Sequence, residues 1–265
     1  MPFTLSHPLA VVPLRRFCPR ILNFAALMIG STTPDIGYYI RQMQLAHFAH
    51  TITGTFMICL PVGIVELWLF YYIRRPICFL LPQPHRSLLS PLASPSPGMS
   101  IRLFAVATIS VLIGAWTHTI WDSFTHDGGW AVQRLSILRL QAIHIGSNGF
   151  PVYYLLQQGS TFGAAAVLVF LYFRWVQKQL RVQSNDSIDG SSDRWRYQLF
   201  IGIVLASLLT SLPAALRAAA GFGGLTATRV FVFRITVYSL ATSALLLVIS
   251  AVAVYLMRKR RLQIK

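Results

Sequence analysis

The sequence predicts an all-α protein: a polytopic membrane helix bundle of about five transmembrane helices, preceded by short N-terminal interfacial helices. Three observations lead there. Hydrophobic residues make up 55% of the 265-residue chain and charged ones only 11%, against roughly 25% charged in soluble domains. The apolar residues gather into runs near the ~20 residues that a spanning helix needs. The net charge of +16 comes from bases clustered between those runs, as topogenic charge and anionic lipid require. In a soluble chain such a charge would suggest nucleic acid; here no nucleic acid is expected, and the expected partner is the lipid bilayer.

The elements follow in order, within a single integral membrane domain, 1–265. Residues 1–51 hold two apolar runs, Val11 to Leu14 and Asn23 to Ile29, both too short to span. They read as short helices at the interface or docked on the bundle. The opening residues are not expected to be a signal peptide, because Arg15 and Arg16 follow the first apolar residues rather than precede them. The first span is 52–73, stopped by Arg74-Arg75-Pro76. Glu66 lies inside it, where an acid is costly; it reads as pairing with Arg74 or Arg75 towards the headgroups.

A Pro- and Ser-rich loop, 82–100, leads to the second span, 101–121. Gly128-Gly129 should break the helix beyond it. The third span is 152–173, with Gln157 and Gln158 early in it. A polar loop with a flexible centre, Ser184 to Asp193, precedes the fourth span, 199–220, where Pro213 predicts a kink. The fifth span, 230–257, ends in Arg258-Lys259-Arg260-Arg261.

Five spans put the termini on opposite sides. Bases in 74–102, 174–197 and 258–265 outnumber those on the other side, so the C-terminus is expected in the cytoplasm. One consequence is independent of orientation. If spans one and two form a hairpin, the segment before Ile52 and the segment after Trp121 share a side. Cys18, Cys59 and Cys78 form no CxxC pair, so neither a disulfide framework nor a Cys-type zinc site is expected.

The chemistry concentrates in Thr117-His118-Thr119-Ile120-Trp121-Asp122-Ser123-Phe124-Thr125-His126. His118, Asp122 and His126 are spaced i, i+4, i+8, so a helix continued through Thr125 would stack them on one face. Two imidazoles and a carboxylate suit zinc, manganese or non-haem iron. The plain alternative is a solvated helix end in an aromatic belt with Trp121 and Trp130. His47-Phe48-Ala49-His50 places two further imidazoles on one face, on the same side of the membrane. Gly30-Ser31-Thr32-Thr33-Pro34-Asp35 presents Asp35 at a turn; alone, it would be an ordinary turn. Asp127 and His144 read as loop residues. Ser31 and Ser123 lie near acids and histidines, but neither sits in a GxSxG setting.

Several stretches together resemble one family. They are Met1-Pro2-Phe3-Thr4-Leu5-Ser6-His7-Pro8, the Gly30–Asp35 turn, Leu60-Pro61-Val62-Gly63, the run from Gly114 to His126, and Leu156-Gln157-Gln158-Gly159-Ser160. The family is the bacterial multi-pass membrane family catalogued as domain of unknown function 4184. Its SH, PD, H and HxxxDxxxH elements are also similar to those of the predicted membrane-bound metal-dependent hydrolases. That group often has an HRGxTHS-type stretch; His47-Phe48-Ala49-His50-Thr51-Ile52 stands there without the Arg and Gly, so the carry-over falls on His50 rather than His47.

The resemblance implies a bacterial inner-membrane protein. It implies a metal site of His7, Asp35, His50, His118, Asp122 and His126, with zinc the expected divalent metal. Asp35 or Asp122 would serve as general base. A lipid-like or phosphoester substrate is expected of a site at headgroup depth. Two other readings compete. A non-enzymatic membrane scaffold or transporter would rely on Glu66, Gln157, Gln158 and Arg234 instead. Bis-His haem ligation would use His50 and His118.

Overall fold

The computed structural model describes residues 4–93, 100–145, 148–182 and 193–263. The protein is an all-α polytopic bundle with almost no sheet. Its described residues contain five helical stretches long and apolar enough to cross a membrane: Ile52–Leu80, Ile101–Arg134, Val152–Val182, Arg194–Ala219 and Gly224–Met257. Large apolar side chains stand exposed along them, among them Trp68, Phe170, Leu209 and Leu245. Runs of exposed apolar surface on this scale mark faces that meet lipid. The only strands among the described residues, Gln141–Ile145 and Asn148–Pro151, form an antiparallel hairpin before the third span.

The chain divides into two compact units, Met1–Trp68 with Pro97–Gln177, and Leu69–Ser96 with Lys178–Lys265. The first contains the N-terminal segment and the motif that closes the second span. Residues Thr4–Phe17 form a 3-10 segment containing Pro8 and Pro13, whose missing N–H groups disfavour a continuous α-helix. The helix Phe24–Gly30 follows. Its N-cap is Asn23, whose side chain accepts from the Ala26 N–H and so satisfies an otherwise orphaned donor. The Asn23 N–H itself donates to Ser110 Oγ of the second span at 2.9 Å.

This short helix packs against the second span almost backbone to backbone. A Cβ on Gly30 would collide with the Val111 carbonyl and lie 2.8 Å from Val111 Cα; one on Gly114 would meet the Leu27 carbonyl and lie 2.7 Å from the Ser31 nitrogen. Only glycine permits that approach. Val11, Leu22 and Leu27 form the apolar cluster beneath it. The 3-10 turn Thr33–Asp35, with Pro34 at its start, then buries Asp35 completely.

In the second unit Arg196 is only 4% exposed. Its guanidinium pairs with Asp193 at 2.7 Å and donates to the Phe79 carbonyl. Asp193 in turn accepts from the Gln83 N–H. A buried charge needs such a full set of partners.

Several expectations are corrected. The first helix does not stop at Arg74-Arg75-Pro76 but runs to Leu80, because Cys78 and Leu80 are buried and hold its last turn. Glu66 makes no ion pair among the described residues. Eight positions to Arg74 are about 12 Å of helix rise, too far to bridge. The helix Ile101–Thr125 ends before Gly128-Gly129, with His126 as its C-cap. The helix Arg194–Ala219 contains Pro213, the position of the expected kink, within its length. Most of the expected flexible centre, 184–192, and residues 94–99 of the Pro- and Ser-rich loop lie outside the described residues.

Candidate metal centre

His118 and Asp122 lie one turn apart on the second span, and both are buried. His118 Nδ1 is 2.8 Å from the Ser31 carbonyl. A carbonyl only accepts, so Nδ1 carries the proton and Nε2 is left with a lone pair. His50 has the same arrangement. It caps the helix Met43–Ala49, and its Nδ1 donates to the Ala46 carbonyl at 2.7 Å. Its Nε2 therefore also carries a lone pair.

These two Nε2 atoms face each other at 3.2 Å. Two lone pairs at that distance repel, so a cation belongs between them, either a proton or a metal ion. Asp122 Oδ2 stands 3.4 Å from each of the two nitrogens. A triangle with these three sides has its centre about 1.9 Å from every corner, close to the 2.0–2.2 Å of Zn–N and Zn–O bonds. The carbonyl-bound Nδ1–H groups match the usual outer partners of metal-ligating histidines.

Two more groups adjoin this trio. Asp35 Oδ1 lies 3.6 Å from both His50 Nε2 and His118 Nε2, while Thr4 donates its hydroxyl to Asp35 Oδ2. His7 stacks on His118 with ring centroids 3.6 Å apart, and its Nε2 is 3.5 Å from Asp122 Oδ1. Two sets of residues thus bring their ligand atoms within 4.8 Å of one another: His7, Asp35, His118 and His50, His118, Asp122. They share His118.

Burial sets the charge states outside the spans. It lowers His7 to about 2, helped by His118 beside it, so His7 is neutral and offers a lone pair. It raises Asp35 above the ordinary carboxylate range, against the pull of His118 and His50 and of the Thr4 hydroxyl. His7 Nε2, Asp35 Oδ1 and Asp122 Oδ1 have no hydrogen-bond partner although buried. Orphaned buried polar atoms are rare and costly. The donor set fits a divalent cation.

The other sequence candidates are distributed as follows. His126 does not share the helical face of His118 and Asp122, because the helix ends at Thr125 and His126 is extended. Its Nδ1 turns back to the Asp122 carbonyl at 3.1 Å, 3.6 Å from Asp122 Oδ2. Its Nε2 lies 3.2 Å from the Gln157 amide nitrogen. His47 is exposed, because Ala46 and Ala49 form the buried face of its helix. Asp127 and His144 are exposed as well.

Ser31 and Ser123 donate to the Met28 and Ile120 carbonyls of their own helices, so neither is poised as a nucleophile. Haem ligation by His50 and His118 is overturned. Ligands on opposite sides of one iron stand about 4 Å apart with a macrocycle between them, which the 3.2 Å separation excludes. Sequence reasoning missed Thr4 and the carbonyls of Ser31 and Ala46. Thr4 lies within the quoted N-terminal motif and could have been found there; the carbonyls have no sequence signal.

Fold and site together define a membrane-type helical protein with a buried His/Asp group able to hold a metal ion. The profile of the family described as Domain of unknown function (DUF4184) matches residues 1–256, and the chain belongs to that family. No curated protein and no solved structure matches it.

Proposed function

We propose that the protein is a membrane-bound, metal-dependent hydrolase whose site lies at the membrane surface and acts on a phosphoester or lipid-like substrate. The observation that carries the reading is the facing pair of nitrogens, His50 Nε2 and His118 Nε2, each on a ring whose Nδ1 meets a backbone carbonyl, closed by Asp122 Oδ2. These three residues would hold the metal, with Asp35 and His7 next to them and His126 steadying Asp122 from outside. A divalent cation there, zinc by the nitrogen and oxygen character of the donors, would lower the pKa of a bound water and polarise a phosphoryl or ester oxygen.

The chain's own residues have separate tasks. Asp35 is suited to be the general base: its carboxyl is raised by burial, Thr4 holds Oδ2, and Oδ1 has no hydrogen-bond partner. It would take the proton as the water oxygen bonds to phosphorus or acyl carbon, and return it to the leaving oxygen. Asp122 would anchor the ion through Oδ2, with Oδ1 towards His7. His7, being neutral, adds no charge that would compete with a bound cation.

The test is hydrolysis of para-nitrophenyl phosphate and para-nitrophenyl esters by the full chain in nanodiscs. Turnover should vanish with a chelator, return with zinc, and fall by about 100-fold or more in Asp35→Asn, as expected when a general base is removed. Metal-loaded protein that hydrolyses neither phosphoester nor ester probes would overturn the enzymatic reading.

A further inference from the structure

A groove of about 420 Å³ is lined by His7 and by residues of the third span, within the range of small-molecule sites. Its walls are the N-terminal segment, at Leu9 and Ala10, the second span at Trp121, and the third at Gly159, Gly163 and Ala164. Two hydrogen bonds fasten the walls: Ser6 Oγ to the Thr161 carbonyl at 2.8 Å, and Trp121 Nε1 to Ser160 Oγ at 3.2 Å. Between them the floor is open. Cβ atoms built on Gly159 and Gly163 would meet nothing within 4 Å.

The groove has little to offer a polar ligand along its length. The Ser6 hydroxyl donates to Thr161 and the Ser160 hydroxyl to the Gln157 carbonyl; the other wall residues are apolar apart from the indole already engaged. The exception is His7, on the wall formed by the N-terminal segment. It is 5% exposed and its Nε2, without a hydrogen-bond partner, lies 3.5 Å from Asp122 Oδ1. Gly159 to Ala164 sit at a depth of about 10–18 Å along a helix that starts at Val152 and is long and apolar enough to cross a membrane. An apolar channel at that depth, beside a metal-binding cluster, complements a molecule with a hydrocarbon tail and one anionic head.

We propose that this groove is the tail-binding half of the substrate site, so that the substrate is a single-chain amphiphile bearing a phosphoryl group. Its alkyl or acyl chain lies against Gly159, Gly163 and Trp121, and its head sits beside His7 at the cluster. The inference rests on the hydrolase reading for the head and on the groove alone for the tail.

The probe is dodecyl phosphate with a diazirine at the end of its chain, given to the full-length protein in phosphatidylcholine nanodiscs. Labelling should concentrate on residues 159–164 and the N-terminal segment. Gly163→Leu fills the groove and should lower labelling about tenfold, a typical result of steric overlap. Gly202→Leu, on another helix and outside the groove, where an added Cβ also meets nothing within 4 Å, should label as wild type. Metal content, measured on the same samples, should be equal in all three. Labelling that ignores Gly163→Leu in metal-bearing protein overturns the groove and leaves the metal reading intact. Groove labelling that depends on Gly163 in protein holding no metal supports the groove and overturns the hydrolase reading.

Discussion

Replacing His118 with alanine should abolish metal binding. His118 is the residue common to both sets of converging ligands, and it is completely buried. Its removal leaves Asp35 and Asp122 without the imidazole between them, and His50 Nε2 without its facing partner. Loss of an outer hydrogen-bond partner alone costs about 10–100-fold in metal affinity, so losing the shared ligand should cost about 100-fold or more. Elemental analysis of purified protein would then go from stoichiometric metal to background. Asp122→Asn keeps the shape of the side chain and guards against a simple folding failure; it should also lose metal. Exposed His47→Ala should retain it. Equal metal in His118→Ala and wild type would remove His118 from the site.

Gly30→Ala should have the second largest effect, though it touches no ligand. The added methyl would run into the Val111 backbone, which cannot yield as a flexible side chain can. The short helix must move away from the second span, at a cost of about 1–3 kcal/mol. The movement carries Ser31 with it, and the Ser31 carbonyl is what fixes the His118 tautomer at 2.8 Å. Metal affinity should therefore fall about 10–100-fold alongside the loss of thermal stability in detergent. Gly114→Ala, which meets Leu27 and Ser31 from the opposite side of the same contact, should behave alike. If Gly30→Ala bound metal as tightly as wild type, the docking of this helix would not be what orients His118.

The fold class was legible because it depends on the length and apolarity of single runs, which the sequence displays directly. The helix termini were less so. Arg74-Arg75-Pro76 reads as a stop, yet the helix persists to Leu80 because burial of Cys78 and Leu80 outweighs the local signal. Within the site, His118 and Asp122 could be paired from their four-residue spacing. His126 could not be placed, because its direction is set by where the helix ends and by Gln157 on another element.

The hairpin argument put the segment before Ile52 on the same side as the second-span motif, and the resemblance singled out His7, Asp35 and His50. The structure brings those three residues to His118 and Asp122. What stayed hidden was the contribution of the backbone. The Ser31 and Ala46 carbonyls decide which imidazole nitrogen is free, and that depends on how the short helices dock.

The metal centre stands or falls on whether the cation between His50 Nε2 and His118 Nε2 is a metal ion or a proton. X-ray absorption at the metal edge of the full-length protein, purified without chelators, tests it most directly. A bound divalent metal with nitrogen and oxygen ligands at about 2.0–2.2 Å, imidazole scattering among them, is the expected result, and it should disappear in His118→Ala. A folded wild-type protein that carries no metal would contradict it.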